Sequence, residues 1–261
     1  MNILFIGDII GRPGRRMLDR HLDGIVDRER IDFVVANAEN AAGGFGLTPE
    51  VAEELLGMGI HCLTSGNHIW DKREIFDYLT RHPSVLRPLN YAAGCPGSGV
   101  FVGETAGGEP VAVLNVMGRV FMPPVDDPFR RVDEEMRDLD GHTRVVVVDI
   151  HAETTSEKIA MGWFLAGRAS LVAGTHTHVP TADARILDGV TAYQSDVGMT
   201  GPYDSVIGVQ KEDILQRFTT GMPVRFRTAK RGVELHATVA AVDSATGHAT
   251  GIRTIHLGED D

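Results

Sequence analysis

Cysteine is scarce in this sequence, and long apolar runs are absent. Only Cys62 and Cys95 occur in 261 residues, with no CxxC spacing, which excludes a disulfide scaffold and a zinc finger. No segment reaches the roughly 18–20 apolar residues needed to span a bilayer. The apolar run at the N-terminus has no basic start and breaks at Gly7-Asp8, so it predicts a β-strand rather than a signal peptide. We therefore predict a soluble, cytoplasmic protein with no membrane partner.

Basic residues are also in deficit. The chain has 25 Lys and Arg against 36 Asp and Glu, which gives a formal charge of −11 at pH 7. This balance argues against stable binding of a nucleic-acid polymer through its phosphates. It leaves room for a small phosphate ester at a metal site, because carboxylate ligands count as uncompensated charge until their ions are bound.

Short β-branched runs alternate with amphipathic stretches over the first two-thirds of the chain. Strands are predicted at 3–7, 33–37, 61–65, 111–116, 144–150 and 170–174, and helices at 15–30, 49–58, 74–81, 128–138 and 155–167. This order predicts an α/β fold with a largely parallel sheet. Further along, Asp188-Gly189 and a polar turn near 244–248 indicate antiparallel pairs, which fit a second sheet. No linker interrupts the chain, so a single domain over 1–261 is expected.

Polar side chains follow five of the predicted strands. They are Asp8, then Asn37, Glu39 and Asn40, then Asn67 and His68, then His151, and finally His176 and His178. In an open α/β sheet, ligands gather at the carboxyl ends of the strands. Each residue taken singly is more simply a turn former, a helix cap or a core residue. Their coincidence at successive strand ends predicts a site for Mn, Fe or Zn, which accept carboxylate, amide and imidazole ligands.

The spacing within these segments suggests two adjacent ions. His176 and His178 point the same way in an extended segment, but in a turn they splay apart and can serve two metals. Glu39 has two carboxylate oxygens and is the candidate bridge. Two ions roughly 3.5–4 Å apart can clamp a phosphate for in-line hydrolysis. The remaining histidines lie in helix, strand or turn contexts and are left out of the site: His21, His61, His82, His142, His236, His248 and His256.

Five segments in this order resemble the calcineurin-like metallophosphoesterases: "GDII", "NAEN", "GNH", "DIH" and "GTHTH". Over the whole chain, "GDIIGRPGR", "NAENAAGGFGLT", "SGNHIWDK" and "SDVGMTGPYDSVIG" are similar to the YmdB-like subfamily. The resemblance implies a four-layer α/β/β/α sandwich of two mixed sheets. It also implies a phosphodiesterase that acts on 2′,3′-cyclic nucleotides through a metal-bridging hydroxide.

The same resemblance assigns roles to the polar residues. Asp8, Glu39 and His178 would hold one metal, and Glu39, Asn67, His151 and His176 the second, with Fe or Mn favoured and Zn permitted. Glu39 replaces the bridging Asp of the broader family. The first-motif His of that family corresponds here to Ile10, and Asn40 is assigned as its substitute. His68 matches the catalytic histidine that protonates the leaving oxygen.

Several alternatives stay open from the sequence. Arg12, Arg15 and Arg16 are candidates for binding substrate phosphate, but Arg15 and Arg16 fit equally well on a solvated helix face. Phe45 in "AAGGFGLT" either stacks on a base or belongs to a long turn. Gly7, Gly11 and Gly14 fit neither a dinucleotide fingerprint nor a P-loop. A regulatory protein that senses a nucleotide or partner with the same pocket is the alternative function, and a homo-oligomer is the default expectation.

Overall fold

Two mixed β-sheets pack face to face in the computed structural model, which describes residues 1–139 and 141–261. The strands are β1 Asn2–Ile6, β2 Asp8–Ile9, β3 Phe33–Asn37, β4 Cys62–Thr64, β5 Val100–Glu104, β6 Pro110–Met117, β7 Val145–His151, β8 Leu171–Thr175, β9 Arg185–Leu187, β10 Thr191–Gln194, β11 Met199–Pro202, β12 Val233–Val242 and β13 Ala249–Gly258. The helices are α1 Gly11–Glu29, α2 Pro49–Gly57, α3 Ile75–Arg81, α4 Pro128–Asp138, α5 Thr155–Phe164 and α6 Lys211–Thr220, with a 3-10 helix at Asn67–Asp71.

The paired strands of the first sheet follow the order β2-β11-β12-β1-β3-β4. β11 and β1 pair with successive parts of one edge of β12, and β13 pairs along its opposite edge. Strands β1, β3 and β4 are parallel, as their βαβ rhythm predicts, whereas β12 runs antiparallel to β1, β11 and β13. The second sheet has the order β5-β6-β7-β8-β10-β9, with antiparallel pairs at both ends. The hairpins predicted around Asp188-Gly189 and 244–248 are both present, as β9–β10 and β12–β13.

Three apolar layers hold these elements together. Residues such as Ile3, Phe5 and Val147 fill the space between the two sheets. Leu22 of α1 and Leu55 of α2 pack on the outer face of the first sheet. Val132 and Met161 do the same for α4 and α5 on the second sheet. The architecture is therefore the expected four-layer α/β/β/α sandwich.

The prediction was wrong at the start of the chain, where β1 ends at Ile6 and a second short strand follows. Asp8 does not trail a strand end but is the first residue of β2, which pairs in parallel with β11 (Met199 with Asp8). Residue 7, between β1 and β2, must be glycine because the chain there lies against the segment before β11: a Cβ on Gly7 would be 2.0 Å from the Gly198 carbonyl oxygen. Helix α1 begins at Gly11, four residues before the predicted start, since Pro13 is well tolerated in a first helical turn.

Besides the short elements β2, β11 and the 3-10 helix, β5 and α6 were not predicted. The edge strand β5 is half exposed and carries only a short apolar run, and α6 has few apolar residues at helical spacing. Both lie in stretches where the periodic signal is weak. No helix in the described part of the chain is both long enough and apolar enough to cross a membrane.

Candidate metal centre

The predicted ligands meet at one end of the sandwich, where strands of both sheets stop. The first sheet supplies oxygen donors: Asp8 on β2, Glu39 and Asn40 in the turn after β3, and Asn67 in the 3-10 helix after β4. The second sheet supplies nitrogen donors: His151 at the end of β7, and His176 and His178 in the turn after β8. Acidic and amide oxygens thus face imidazoles across the junction of the two sheets.

His151 lies at the centre of one group of donors. Its Nε2 is 3.1 Å from Glu39 Oε1, 3.2 Å from Asn67 Oδ1 and 3.1 Å from His176 Nδ1. One N–H cannot serve three acceptors, whereas one cation can be shared by all four atoms. Burial lowers the pKa of His151, but Glu39 and Asp8 outweigh it and raise the pKa to about 9 without a metal. The site therefore attracts positive charge.

The other side of the His151 ring fixes its orientation. His151 Nδ1 lies 2.9 Å from Thr175 Oγ1, and the Thr175 hydroxyl donates to the buried Asp149 Oδ1 at 2.7 Å. Because that hydroxyl proton is used, Nδ1–H must be the donor to Thr175. In the neutral ring, the Nε2 lone pair then points at Glu39. This is the relay by which a carboxylate commonly orients a metal-binding histidine.

A second group of donors surrounds His178. Asp8 Oδ1 and Asn40 Oδ1 are both buried and have no hydrogen-bond partner. His178 Nε2 is 3.7 Å from Asp8 Oδ1 and 3.3 Å from Asn40 Nδ2, while its Nδ1 lies 2.9 Å from the Ile207 carbonyl oxygen. An unpaired buried oxygen costs about 1–3 kcal/mol, which a bound cation would remove. These residues therefore fit a metal ion.

Asn40 lies between Glu39 and His178. Its Nδ2 is 3.3 Å from both Glu39 Oε1 and His178 Nε2. A rotation of the amide by about 180° places Oδ1 where Nδ2 now lies, beside Glu39 Oε1 and His178 Nε2. In that arrangement a shared cation would satisfy Asn40 Oδ1, Glu39 Oε1 and His178 Nε2, and the Nδ2 group would take the position where Oδ1 now has no partner. Burial raises the pKa of Asp8 to about 6, although His178 and His151 lower it in part.

Glu39 joins the two groups. Its Oε1 faces both His151 and Asn40, and its Oε2 accepts the backbone N–H of His68 at 2.9 Å. Complete burial would raise the pKa of Glu39, but His151 and His68 outweigh burial and lower the pKa to about 2. A carboxylate that stays ionised between two sets of donors has the properties of a bridging ligand.

The histidines at 176 and 178 occupy a turn rather than an extended strand. Both have positive φ angles, 95° and 64°, so their rings splay towards different donor groups. Thr177 between them is held by Asp196, which accepts its backbone N–H at 3.1 Å and its hydroxyl at 2.6 Å. Burial and the nearby His151 lower the pKa of His176 to about 3, so its ring is neutral and able to bind a cation.

His68 stands beside this centre and is less buried. Its Nδ1 lies 2.9 Å from Asp71 Oδ2, and the edge of its ring contacts Phe45 at a centroid distance of 5.1 Å. Asp71 was not predicted, although its i+3 spacing from His68 within "NHIWD" was a usable signal. Glu153, whose Oε2 is 3.1 Å from His176 Nε2, was not predicted either.

A pocket of about 390 Å³ opens above the two donor groups. One wall is apolar and consists of Phe45, Ile207, Val209, Ile214 and Phe226. The floor includes Glu39, His68, His176 and His178. Among the described residues that line the pocket, none is Lys or Arg. Phe45 thus lines the pocket, whereas the apolar residues beyond 206 were not predicted.

The three arginines after Asp8 do not line this pocket. Arg15 forms an ion pair with Glu54 at 2.9 Å and donates to the Ala41 carbonyl at 2.6 Å, so it supports the turn that carries Asn40. Arg12 and Arg16 are exposed on α1 and line a different cavity. The exposure of Arg16 favours the solvated helix face that was its alternative over contact with substrate phosphate.

Comparisons with known proteins place this chain in a family. The family model described as YmdB-like protein matches residues 4–255. The 2′,3′-cyclic-nucleotide 2′-phosphodiesterase of Bacillus subtilis (strain 168) is 46% identical over 260 residues, covering 100% of this chain and 98% of the relative.

Two solved structures have the same fold. A hypothetical protein from Thermus thermophilus superposes with a TM-score of 0.92 at 45% identity, covering 99% of this chain and 100% of that one. A structure described as a novel phosphatase, from Mycoplasma pneumoniae, gives a TM-score of 0.93 at 33% identity over 100% and 94% of the two chains. With the family model covering nearly the whole sequence, the chain belongs to the YmdB-like protein family.

Proposed function

We propose that this protein is a metal-dependent phosphodiesterase that hydrolyses small cyclic phosphodiesters, with 2′,3′-cyclic nucleotides as the substrate class. The observation that carries the proposal is the pair of donor groups that share Glu39 at the base of a pocket with an apolar wall. The name of the Bacillus subtilis relative supports the choice of substrate. A cytoplasmic location and a homo-oligomeric state stay predictions.

Two transition-metal ions, Fe or Mn by preference and Zn as a permitted alternative, fit the mixed oxygen and nitrogen donors. The proposed ligands are Asp8, Glu39, Asn40 and His178 for one ion, and Glu39, Asn67, His151 and His176 for the other. When bound, such a pair lowers the pKa of a water molecule and neutralises charge on the phosphoryl oxygens.

His68 is proposed as the general acid. Asp71 engages Nδ1 and holds the ring at the edge of the pocket, which leaves Nε2 to give a proton to the leaving oxygen of the substrate. The backbone N–H of His68 also binds Glu39, so the acid and the bridging carboxylate keep a fixed separation. Asp71 acts through His68 and is a positioning residue.

The walls of the pocket support a diester bearing an aromatic base. Phe45 and Phe226 offer ring surfaces on which a base can stack. No lining residue among those described is Lys or Arg, so the protein offers a phosphate little positive charge beyond the metals and histidines. A pocket with so little positive charge suits the single negative charge of a phosphodiester better than the double negative charge of a phosphomonoester.

The proposal is tested by measuring metal content and hydrolysis of 2′,3′-cyclic AMP on the same preparations. We expect Glu39→Gln to lose both bound metal and activity. We expect His68→Ala to keep its metals but to lose roughly 10²–10⁴-fold in kcat, the usual contribution of a general acid. His248→Ala, an exposed histidine far along the chain, is the matched control. Wild-type protein that binds no metal, or cleaves no phosphodiester with Mn or Fe supplied, contradicts the proposal.

Phe226→Ala tests the base-binding wall separately. We expect KM for 2′,3′-cyclic AMP to rise while kcat changes little, because the ring binds a part of the substrate that does not react. Hydrolysis of bis(p-nitrophenyl) phosphate, which has no nucleobase, should be affected less. Equal losses with both substrates would argue against a base-specific contact. A cellular role that survives Glu39→Gln would favour the regulatory alternative.

A further inference from the structure

Two histidines that the metal centre does not use face each other across the C-terminal hairpin. His236 on β12 and His256 on β13 are register partners, so their side chains project from the same face of the sheet. Their rings stack with centroids 4.4 Å apart and an interplanar angle of 19°. Glu234, two residues before His236 on β12, shares that face.

The three side chains converge on one point. Glu234 Oε2 lies 3.1 Å from His236 Nε2 and 2.8 Å from His256 Nε2, and one donor atom from each residue lies within 4.8 Å of the other two. In a tetrahedral site with ligand bonds of about 2.0–2.1 Å, neighbouring ligand atoms are roughly 3.3 Å apart. The carboxylate oxygen is already close to that spacing from each imidazole nitrogen, and the two nitrogens lie within 4.8 Å of each other.

The cluster is buried on one side and open to solvent on the other. The side chain of His236 is only 11% exposed and packs against the Tyr203 ring at a centroid distance of 4.9 Å. Glu234 is 30% exposed and His256 is 60% exposed. His236 and Glu234 are therefore held against the sheet, and His256 lies on the solvent side, where an ion and a water ligand can enter.

We propose that Glu234, His236 and His256 form a second, peripheral cation site for a borderline divalent ion such as Zn²⁺. Two imidazole nitrogens and one carboxylate oxygen suit Zn²⁺, Cu²⁺ or Ni²⁺ better than Mg²⁺ or Ca²⁺. Water would complete the coordination on the exposed side. The ion would link β12 to β13, and the three residues lie outside the lining of the proposed substrate pocket.

The site is tested by counting metal after equilibrium dialysis of the full-length protein against Zn²⁺. We expect His256→Ala and Glu234→Gln each to bind one equivalent less than wild type, whatever the occupancy of the first centre. His248→Ala is the matched control, since it removes an exposed histidine from the turn of the same hairpin and should change nothing. His256 is largely exposed, so its loss should not prevent folding, and cyclic-nucleotide hydrolysis should be preserved.

Titration with Zn²⁺ separates this site from the first centre. In Glu39→Gln, which we expect to lose its metals at the first centre, the peripheral binding step should persist, and adding His256→Ala should weaken it at least ~10-fold. If His256→Ala and Glu234→Gln bind as much Zn²⁺ as wild type, the three residues are only a hydrogen-bonded cluster and the proposal is wrong. The same conclusion follows if His248→Ala lowers the count equally.

Discussion

Removing the charge of Lys158 should destabilise the whole protein by several kcal/mol. Lys158 Nζ, on α5, lies 2.7 Å from Asp196 Oδ2, and both side chains are 1% exposed. Breaking a buried ion pair from one side costs about 3–5 kcal/mol, because the remaining charge stays buried without its partner. In Lys158→Met, Asp196 keeps hydrogen bonds from Thr177 and from the Gly198 N–H. We therefore expect a loss near the lower limit, about 3 kcal/mol.

The measurement is urea unfolding of the metal-free protein, so that ligand binding does not obscure the change. A loss of about 3 kcal/mol is a large part of the 5–15 kcal/mol that stabilises a typical domain, and it should appear as a lower midpoint at unchanged slope. Lys211→Met is the matched control: Lys211 pairs with Asp204, but both side chains are well exposed, and no measurable change is expected.

The double variant Lys158→Met/Asp196→Asn completes the test. With both charges gone, it should be more stable than the sum of the two single losses predicts, by at least ~1 kcal/mol of coupling. The reasoning would be refuted if Lys158→Met and Lys211→Met were equally stable. It would also be refuted if the two buried substitutions were simply additive, since the buried charge would then not be the cause.

Three further outcomes are expected. Gly66→Ala should reduce metal content, since its Cβ would lie 2.1 Å from ring atoms of His151; metal analysis of the folded variant checks this. Thr175→Val should weaken metal binding about 10–100-fold in a titration, because the His151 Nδ1–H loses its acceptor. Burial raises the pKa of Asp183, but hydrogen bonds from Ser195 outweigh it and lower the pKa below 3.8. The stability advantage of wild type over Asp183→Asn should thus be constant at neutral pH and disappear as pH falls below about 4, as pH-dependent unfolding will show.

The convergence of the candidate ligands could be predicted from the sequence because it follows from sheet geometry. Glu39, Asn67 and His151 each follow or end a parallel strand, and such ends meet at one edge. Asn40 could be assigned because the family resemblance puts a metal-binding histidine where Ile10 stands, and an amide oxygen is available beside Glu39. In the structure the Asn40 amide lies 3.3 Å from Glu39 Oε1.

What the sequence could not reveal depends on contacts between distant segments. Phe226 reaches the pocket from an irregular segment after α6, which has no periodic signal. The turn at Thr177 is held by Asp196, nineteen positions further on, so the splayed histidines were only one of two alternatives. His236 and His256 looked unrelated because their pairing depends on the register of β12 and β13.

The position of β12 sets the order in which the molecule can be completed during synthesis. Strand β1, next to Asp8, has β3 on one side and residues 237–241 on the other. Its second edge therefore stays unpaired until the ribosome has translated residues 237–241, and an unpaired edge strand is prone to aggregation. A nascent chain that lacks β12 has every candidate ligand of the first centre but not the strand that joins β1 to β11 and β2. We expect metal capture to begin only after β12 docks.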